Sequence, residues 1–196
     1  MRRHVVVVAA FVLVGALFVV PAVGAAAPAD EIRLTTTVDR APDYPGEIAA
    51  TVSFRLPDRV TELTPQLPDG VTVSETNGFT GSDGGEYTWD GRTEVSSITF
   101  RVDADRLTDD EGPLAEDGQY LFADTDEWAL VRIPSVGVEW TQTGRDELGV
   151  DRETAVDGVG VAGDRMAYLG DYSVVRRTAH GQTFHLVIPA AADLAE

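Results

Sequence analysis

From residue 30 onward, apolar side chains recur at every second position, in short runs punctuated by glycine, proline and aspartate. That alternation constrains the chain more than any other feature. A period of two places alternate side chains on opposite faces of an extended strand, so each run presents one face to a core and one to solvent. Ile32, Leu34, Thr36 and Val38 share one parity, and the turn Ala41-Pro42-Asp43-Tyr44-Pro45-Gly46 follows. Ala50, Val52, Phe54 and Leu56 form the next run, closed by Pro57-Asp58; a loop with Pro65 and Pro68 then leads to Asp69-Gly70. Val71-Thr72-Val73 restarts a strand before the acidic turn Gly81 to Glu86. Tyr87-Thr88-Trp89, the Asp90-Gly91 turn and Val95 to Val102 have the pattern of a hairpin.

Residues Asp103 to Asp117 read as acidic loop. Strands are expected again at Tyr120 to Phe122, Trp128 to Ile133 and Val136 to Trp140. Arg145 to Asp157 lacks periodicity and is expected to hold at most a helical turn. Val159 to Val161 and Met166 to Leu169 flank a turn at Gly163-Asp164. The last hairpin joins Tyr172–Thr178 to Thr183–Ile188 around His180-Gly181. The expectation is an all-β sandwich of about ten to twelve short, mainly antiparallel strands over residues 27–189, as one unit or two smaller β units. The roughly 170 residues involved suffice for one sizeable core.

The two ends break this pattern. Met1-Arg2-Arg3-His4 is basic, Val5 to Val20 is uncharged, and Pro21 precedes the small residues Ala22 to Ala27. This is the basic, apolar and small-residue sequence of an export signal over residues 1–26, with cleavage expected after Gly24, Ala25 or Ala26. The apolar span 5–27 also meets the length of about 20 residues needed by a membrane helix, which leaves an uncleaved anchor open. Arg2-Arg3 suits a twin-arginine route as well. Basic residues on the N-terminal side direct the remainder outward in either case, so the expected location is secreted or anchored on the outer face of the cytoplasmic membrane. At the other end, Pro189 followed by Ala190-Ala191-Ala192-Asp193-Leu194-Ala195-Glu196 looks like a helix start. Residues 190–196 are too few for an isolated helix, so a frayed tail is the alternative.

Charge narrows the partners. The chain carries 33 acidic residues against 15 basic ones, and every basic residue is arginine. At ordinary ionic strength such a surface repels itself, whereas at about 1 M salt the Debye length falls to roughly 3 Å and the repulsion is screened. Lysine is absent and Asn77 is the only asparagine, which together with the acidity points to a halophilic exported protein. Nucleic acid and anionic lipid headgroups are poor partners for it. With no cysteine, the fold uses neither disulfides nor a thioether lipid.

No motif in the sequence specifies a catalytic, cofactor or metal site. His180 and His185 stand five apart in a hairpin, and odd spacing along a strand turns side chains to opposite faces. Gly81-Ser82-Asp83-Gly84 lacks the strand-to-helix setting of a nucleophilic serine. Gly158 to Gly163 matches a dinucleotide-binding pattern by letters, but a strand rather than a helix follows it. The acidic runs Asp103-Ala104-Asp105, Asp109-Asp110-Glu111 and Asp124-Thr125-Asp126-Glu127 lack the ligand spacing of a calcium loop and read as solvated surface. Of the large aromatics, Tyr87, Trp89, Trp128 and Trp140 stand out; Trp89 and Trp128 fall within expected strands, where core packing is the default role, and an exposed aromatic row binding carbohydrate or a peptide is the alternative.

Several phrases taken together resemble a known family. They are the strand Ile48 to Leu56 with Pro57, Leu67-Pro68-Asp69-Gly70-Val71, Gly78-Phe79, Tyr87-Thr88-Trp89-Asp90-Gly91, Tyr168-Leu169-Gly170-Asp171-Tyr172, and Thr183 to Pro189. Over residues 31–189 the chain looks like the N-terminal β domain of secreted haloarchaeal metallopeptidases related to glycyl aminopeptidases, of the gluzincin type. The resemblance implies a scaffold or substrate-facing β domain ahead of a helical zinc domain, with that C-terminal domain or a peptide substrate as partner. The family's His-Glu-x-x-His has no counterpart in these residues, so no zinc or catalytic role is carried over.

Overall fold

The computed structural model describes residues 11–13, 31–41, 47–81, 85–103, 121–124 and 127–190. Among them the chain is all-β, with several mostly antiparallel sheets and no helix. The described strands number sixteen, more than the ten to twelve expected, because Phe11–Leu13, Val60–Gln66, Phe79–Gly81 and Gly149–Val156 also form strands.

The largest sheet has five strands in the order β12-β2-β3-β8-β5. These are Gly149–Val156, Glu31–Arg40, Glu47–Arg55, Val95–Asp103 and Thr72–Asn77 respectively. The expected parity holds in its centre. Ile32, Leu34, Thr36 and Val38 are buried along β2, and Ile48, Ala50, Val52 and Phe54 along β3. Their neighbours of opposite parity are polar or charged apart from Ala49, and Thr51 and Thr99 share a hydroxyl hydrogen bond of 3.0 Å across β3 and β8 on that outer face.

The inner face packs against shorter sheets, giving a sandwich-like arrangement. One sheet has the order β13-β14-β10-β9, from Gly160–Ala162, Met166–Leu169, Ala129–Arg132 and Leu121–Asp124. Another pairs β11, Gly137–Gln142, with β4, Val60–Gln66. A third pairs β6, Phe79–Gly81, with β7, Tyr87–Trp89. Val60, Leu63, Phe79, Ala129, Val131, Ala167 and Leu169 from these elements share one core with the large sheet. Phe54 and Phe79 meet edge-on at 5.2 Å between ring centroids, a geometry that aligns the positive ring edge with the negative face. Burying each large side chain here contributes about 1.5–3 kcal/mol.

The last sheet stands apart in its burial. It has the order β1-β16-β15, with β1 at Phe11–Leu13, β15 at Tyr172–Ala179 and β16 at Gln182–Pro189. The β15–β16 hairpin turns on His180 (φ 51°) and Gly181 (φ 77°). Two successive positive φ values are the signature of a type I′ turn, whose twist matches the strands it joins. Only its base is buried: Val187 and Tyr172 pack with Val161, Tyr168 and Trp128 in a small second core.

Five sequence expectations need correction or fall elsewhere. Val60–Gln66 is a strand, not loop, despite Pro65; its sheet is only two-stranded, so it is an edge, where a missing N–H is tolerated. Tyr87–Trp89 pairs with Phe79–Gly81 instead of forming a hairpin with β8. The reason is local: Asp90 accepts hydrogen bonds from the backbone N–H of Arg92 and Thr93, both 2.8 Å, and from the Thr93 hydroxyl. Those donors are then lost to a ladder. Residues 149–156 form a strand rather than a helical turn, and it pairs with β2 in parallel. As an edge strand carrying Arg152 and Glu153 it never shows a clean alternation. The export segment 1–26 lies outside the described residues except for the short strand Phe11–Leu13, and residues 191–196 of the C-terminal segment lie outside them. Among the described residues, no helix is long and apolar enough to cross a membrane.

Candidate functional site

The parallel pairing of β12 with β2 builds a place where charged groups converge on a concave surface. Val156 lies opposite Val38, and the Asp157 N–H donates to the Val38 carbonyl at 3.0 Å, which carries the ladder one step past the strand. Asp39 and Asp157 are thereby brought together from distant parts of the chain. Gly158, at φ 85°, turns the backbone away, and the Gly170 N–H ties the junction back to the Val159 carbonyl at 2.8 Å. The result is an open cleft of about 370 Å³ lined by Asp39, Arg40, Glu127, Asp157, Gly158, Val159, Leu169 and Gly170. Val159 stands on its wall with 59% of its surface exposed.

Gly170 is what allows the wall to close. Its φ of 130° is unfavourable for other residues, and a Cβ there would lie 2.6 Å from the Glu127 carbonyl and 2.9 Å from Trp128 Cβ. The Glu127 backbone therefore rests directly on the glycine, at the cleft that Glu127 lines together with Asp39 and Arg40.

The electrostatics are dominated by acid. Partial burial holds the Asp39 carboxyl above the usual range, against a 2.7 Å hydrogen bond from the Arg40 N–H, and Asp157 pushes it further in the same direction. Asp90, exposed in its turn, shows the opposite: three donors around its carboxylate hold it below that range. Beneath the cleft, burial pushes the Tyr168 phenol up to about 12, with Asp171 and Glu127 adding to the effect and Arg40 opposing it. Its hydroxyl donates to the Asp171 carbonyl at 3.1 Å. Trp128 stacks on its ring at 5.8 Å and Tyr172 meets it edge-on at 6.1 Å.

Chemically the cleft suits binding more than bond breaking. Three carboxylates around one guanidinium can hold an amine or guanidinium group through charge-assisted hydrogen bonds. Tyr168 is neutral and committed to a backbone carbonyl, so it is no base at neutral pH.

The residues weighed in the sequence fall mostly elsewhere. His180 is at the exposed hairpin tip, and His185 sits on β16 opposite Arg176. Among the described residues no group of three or more His, Cys, Asp or Glu side chains is placed to hold a metal ion. Gly158 to Gly163 forms a bend and the strand β13, close to the strand expected at Val159 to Val161, and Gly158 lines the cleft. Of the acidic runs, Glu127 reaches the cleft, while residues 104–105, 109–111 and 125–126 are outside the described set, as is Ser82. Tyr87 and Trp89 pack half-buried against the main core, as does Trp140, whose indole N–H reaches Gln142 at 3.2 Å. Trp128 serves the smaller aromatic core. Nothing in the sequence signalled the cleft itself, since it depends on a parallel pairing between strands at opposite ends of the β region. No family model matches the chain, and no curated protein or solved structure is similar to it.

Proposed function

We propose that the chain is a non-catalytic β-sandwich module of an exported halophilic protein, acting as the N-terminal scaffold or substrate-facing unit of a zinc metallopeptidase. The observation that carries this reading is the all-β body with one core running from Ile32 to Leu169, the kind of module the family resemblance implies. The resembling phrases fall on its ladders and turns: Phe79 in β6, Tyr87–Trp89 in β7, and Tyr168 to Tyr172 between the two cores. The coding sequence downstream of codon 196 is the test. An in-frame His-Glu-x-x-His is expected, and a stop codon at that point overturns the peptidase assignment.

A self-contained secreted or cell-surface binding protein is the second reading, favoured by the acidic cleft and by a hairpin exposed over its distal half. Export and halophily belong to both. Mass spectrometry of the native N-terminus is expected to find it at residue 25, 26 or 27. An intact residue 1 identifies an anchor instead. The circular dichroism of the exported chain is expected to collapse as salt falls from molar to about 0.1 M; an unchanged spectrum argues against halophilic adaptation.

A further inference from the structure

Between Asp171 and Asp193 there is no acidic residue, although acids make up 33 of the 196 residues. After residue 30 the next longest acid-free stretch, Trp128 to Val138, is about half as long. The acid-free segment coincides with the β15–β16 hairpin. It carries Arg176, Arg177, His180 and His185 but no carboxylate, on a chain of net charge −18. Arg176, Arg177 and His180 are exposed, and neither arginine makes an ion pair among the described residues. Cross-strand register places Val175 opposite Leu186 and Arg177 opposite Phe184, so one face combines three large apolar side chains with a guanidinium. None of these belongs to either core. Acid depletion together with arginine and aromatic content is the composition of an interface centre rather than of solvated surface.

We propose that the hairpin is a docking arm whose distal half seats on the acidic cleft of a second copy of this chain, by reciprocal exchange. Charge complementarity selects the occupant: the arm offers Arg177 on its apolar face, with Arg176 turned to the opposite face, and the cleft offers Asp39, Glu127 and Asp157 beside Arg40. The layout suits a two-fold contact, because the arm springs from the cleft's own rim. Leu169 and Gly170 line the cleft, and β15 starts at Tyr172. An arm of eight-residue strands reaches about 26 Å, so two copies side by side and antiparallel can each reach the other's cleft. The contact is small: one face of the distal half, about 13 Å long and two strands wide, covers ~130 Å², and reciprocal exchange, which counts arm and acceptor twice, brings the total to roughly 500 Å², the size of a weak, concentration-dependent contact. At molar salt only contact ion pairs and apolar burial survive screening, and this surface offers both.

Sedimentation velocity of the full chain at molar salt tests the proposal. A dimer is expected, and the double variant Arg176→Glu/Arg177→Glu is expected to weaken it at least about 100-fold. Asp157→Arg, an exposed residue of the cleft, is expected to do the same. Combining the three reversals restores at least a tenth of the wild-type affinity. Circular dichroism and the thermal midpoint of each variant report folding, which these exposed positions leave unchanged. A wild-type monomer at every concentration overturns the proposal. So does a dimer indifferent to the arm reversal, to the cleft reversal, or to their combination.

Discussion

Strands β2 and β3 and the hairpin β15–β16 are of similar length, and both form regular antiparallel ladders, yet they are held in place by different forces. Eight register pairs join β2 to β3 and eight join β15 to β16. In the first pair every second residue is buried in the main core. In the second, burial stops at Val187 and Ile188, and the remainder is exposed or half-buried. Backbone hydrogen bonds are equivalent in the two, and their net contribution is modest because water competes for the same groups. The sandwich is held by side-chain burial contributed from distant sequence, whereas the hairpin is specified locally by its His180-Gly181 turn and anchored by an aromatic foot.

The largest test of that contrast is Phe54→Ala against Phe184→Ala. Phe54 is fully buried, and its removal is expected to cost about 3–5 kcal/mol in denaturant titrations at molar salt. Phe184, half-buried on the hairpin, is expected to cost about 1 kcal/mol or less. Equal losses break the comparison. Next in size is Gly170→Ala, at the junction between the two regions. The strained φ and the Glu127 carbonyl are expected to cost about 2–3 kcal/mol, and a loss below 1 kcal/mol means the junction is pliant. Ser96→Ala sharpens the account of the core. Its hydroxyl is fully buried without a hydrogen-bond partner among the described residues, so its removal is expected to raise stability by about 1 kcal/mol.

The smallest effect is expected at Asp39. Its folded carboxyl titrates above the unfolded value of 3.8, so the ionised form is disfavoured by folding. That penalty is fully present above the folded value and vanishes as pH falls below the unfolded one. Asp39→Asn is therefore expected to raise the thermal midpoint slightly at neutral pH, with the gain disappearing near pH 3. A gain that persists in acid assigns the effect to something other than charge.

Legibility in the sequence followed the same divide. The central strands were visible because Ile32, Leu34, Val38, Ala50, Val52 and Phe54 bury one face only, and the last hairpin because His180-Gly181 stands between two β-rich runs. Edges were harder. Pro65 disguised β4, and the polar residues of β12 concealed a strand that needs only one ladder partner. The Asp90-Gly91 turn signal was real, but the Asp90 side chain spends the donors that a hairpin would use. For the cleft, composition revealed the excess of acid without its arrangement. Asp39 and Asp157 meet through a parallel register, and parallel partners carry no turn to announce them.

That parallel register also orders events in time. By residue 103 β3 has both its partners, β2 and β8, but β12 is synthesised much later. Until residues 149–156 arrive, β2 presents an open hydrogen-bonding edge beside its most apolar face. A nascent chain thus passes through a stage with a sticky, unpaired border, the kind of edge that invites pairing between molecules. Chains truncated before residue 149 are left in that stage, and aggregation rather than partial function is their expected fate.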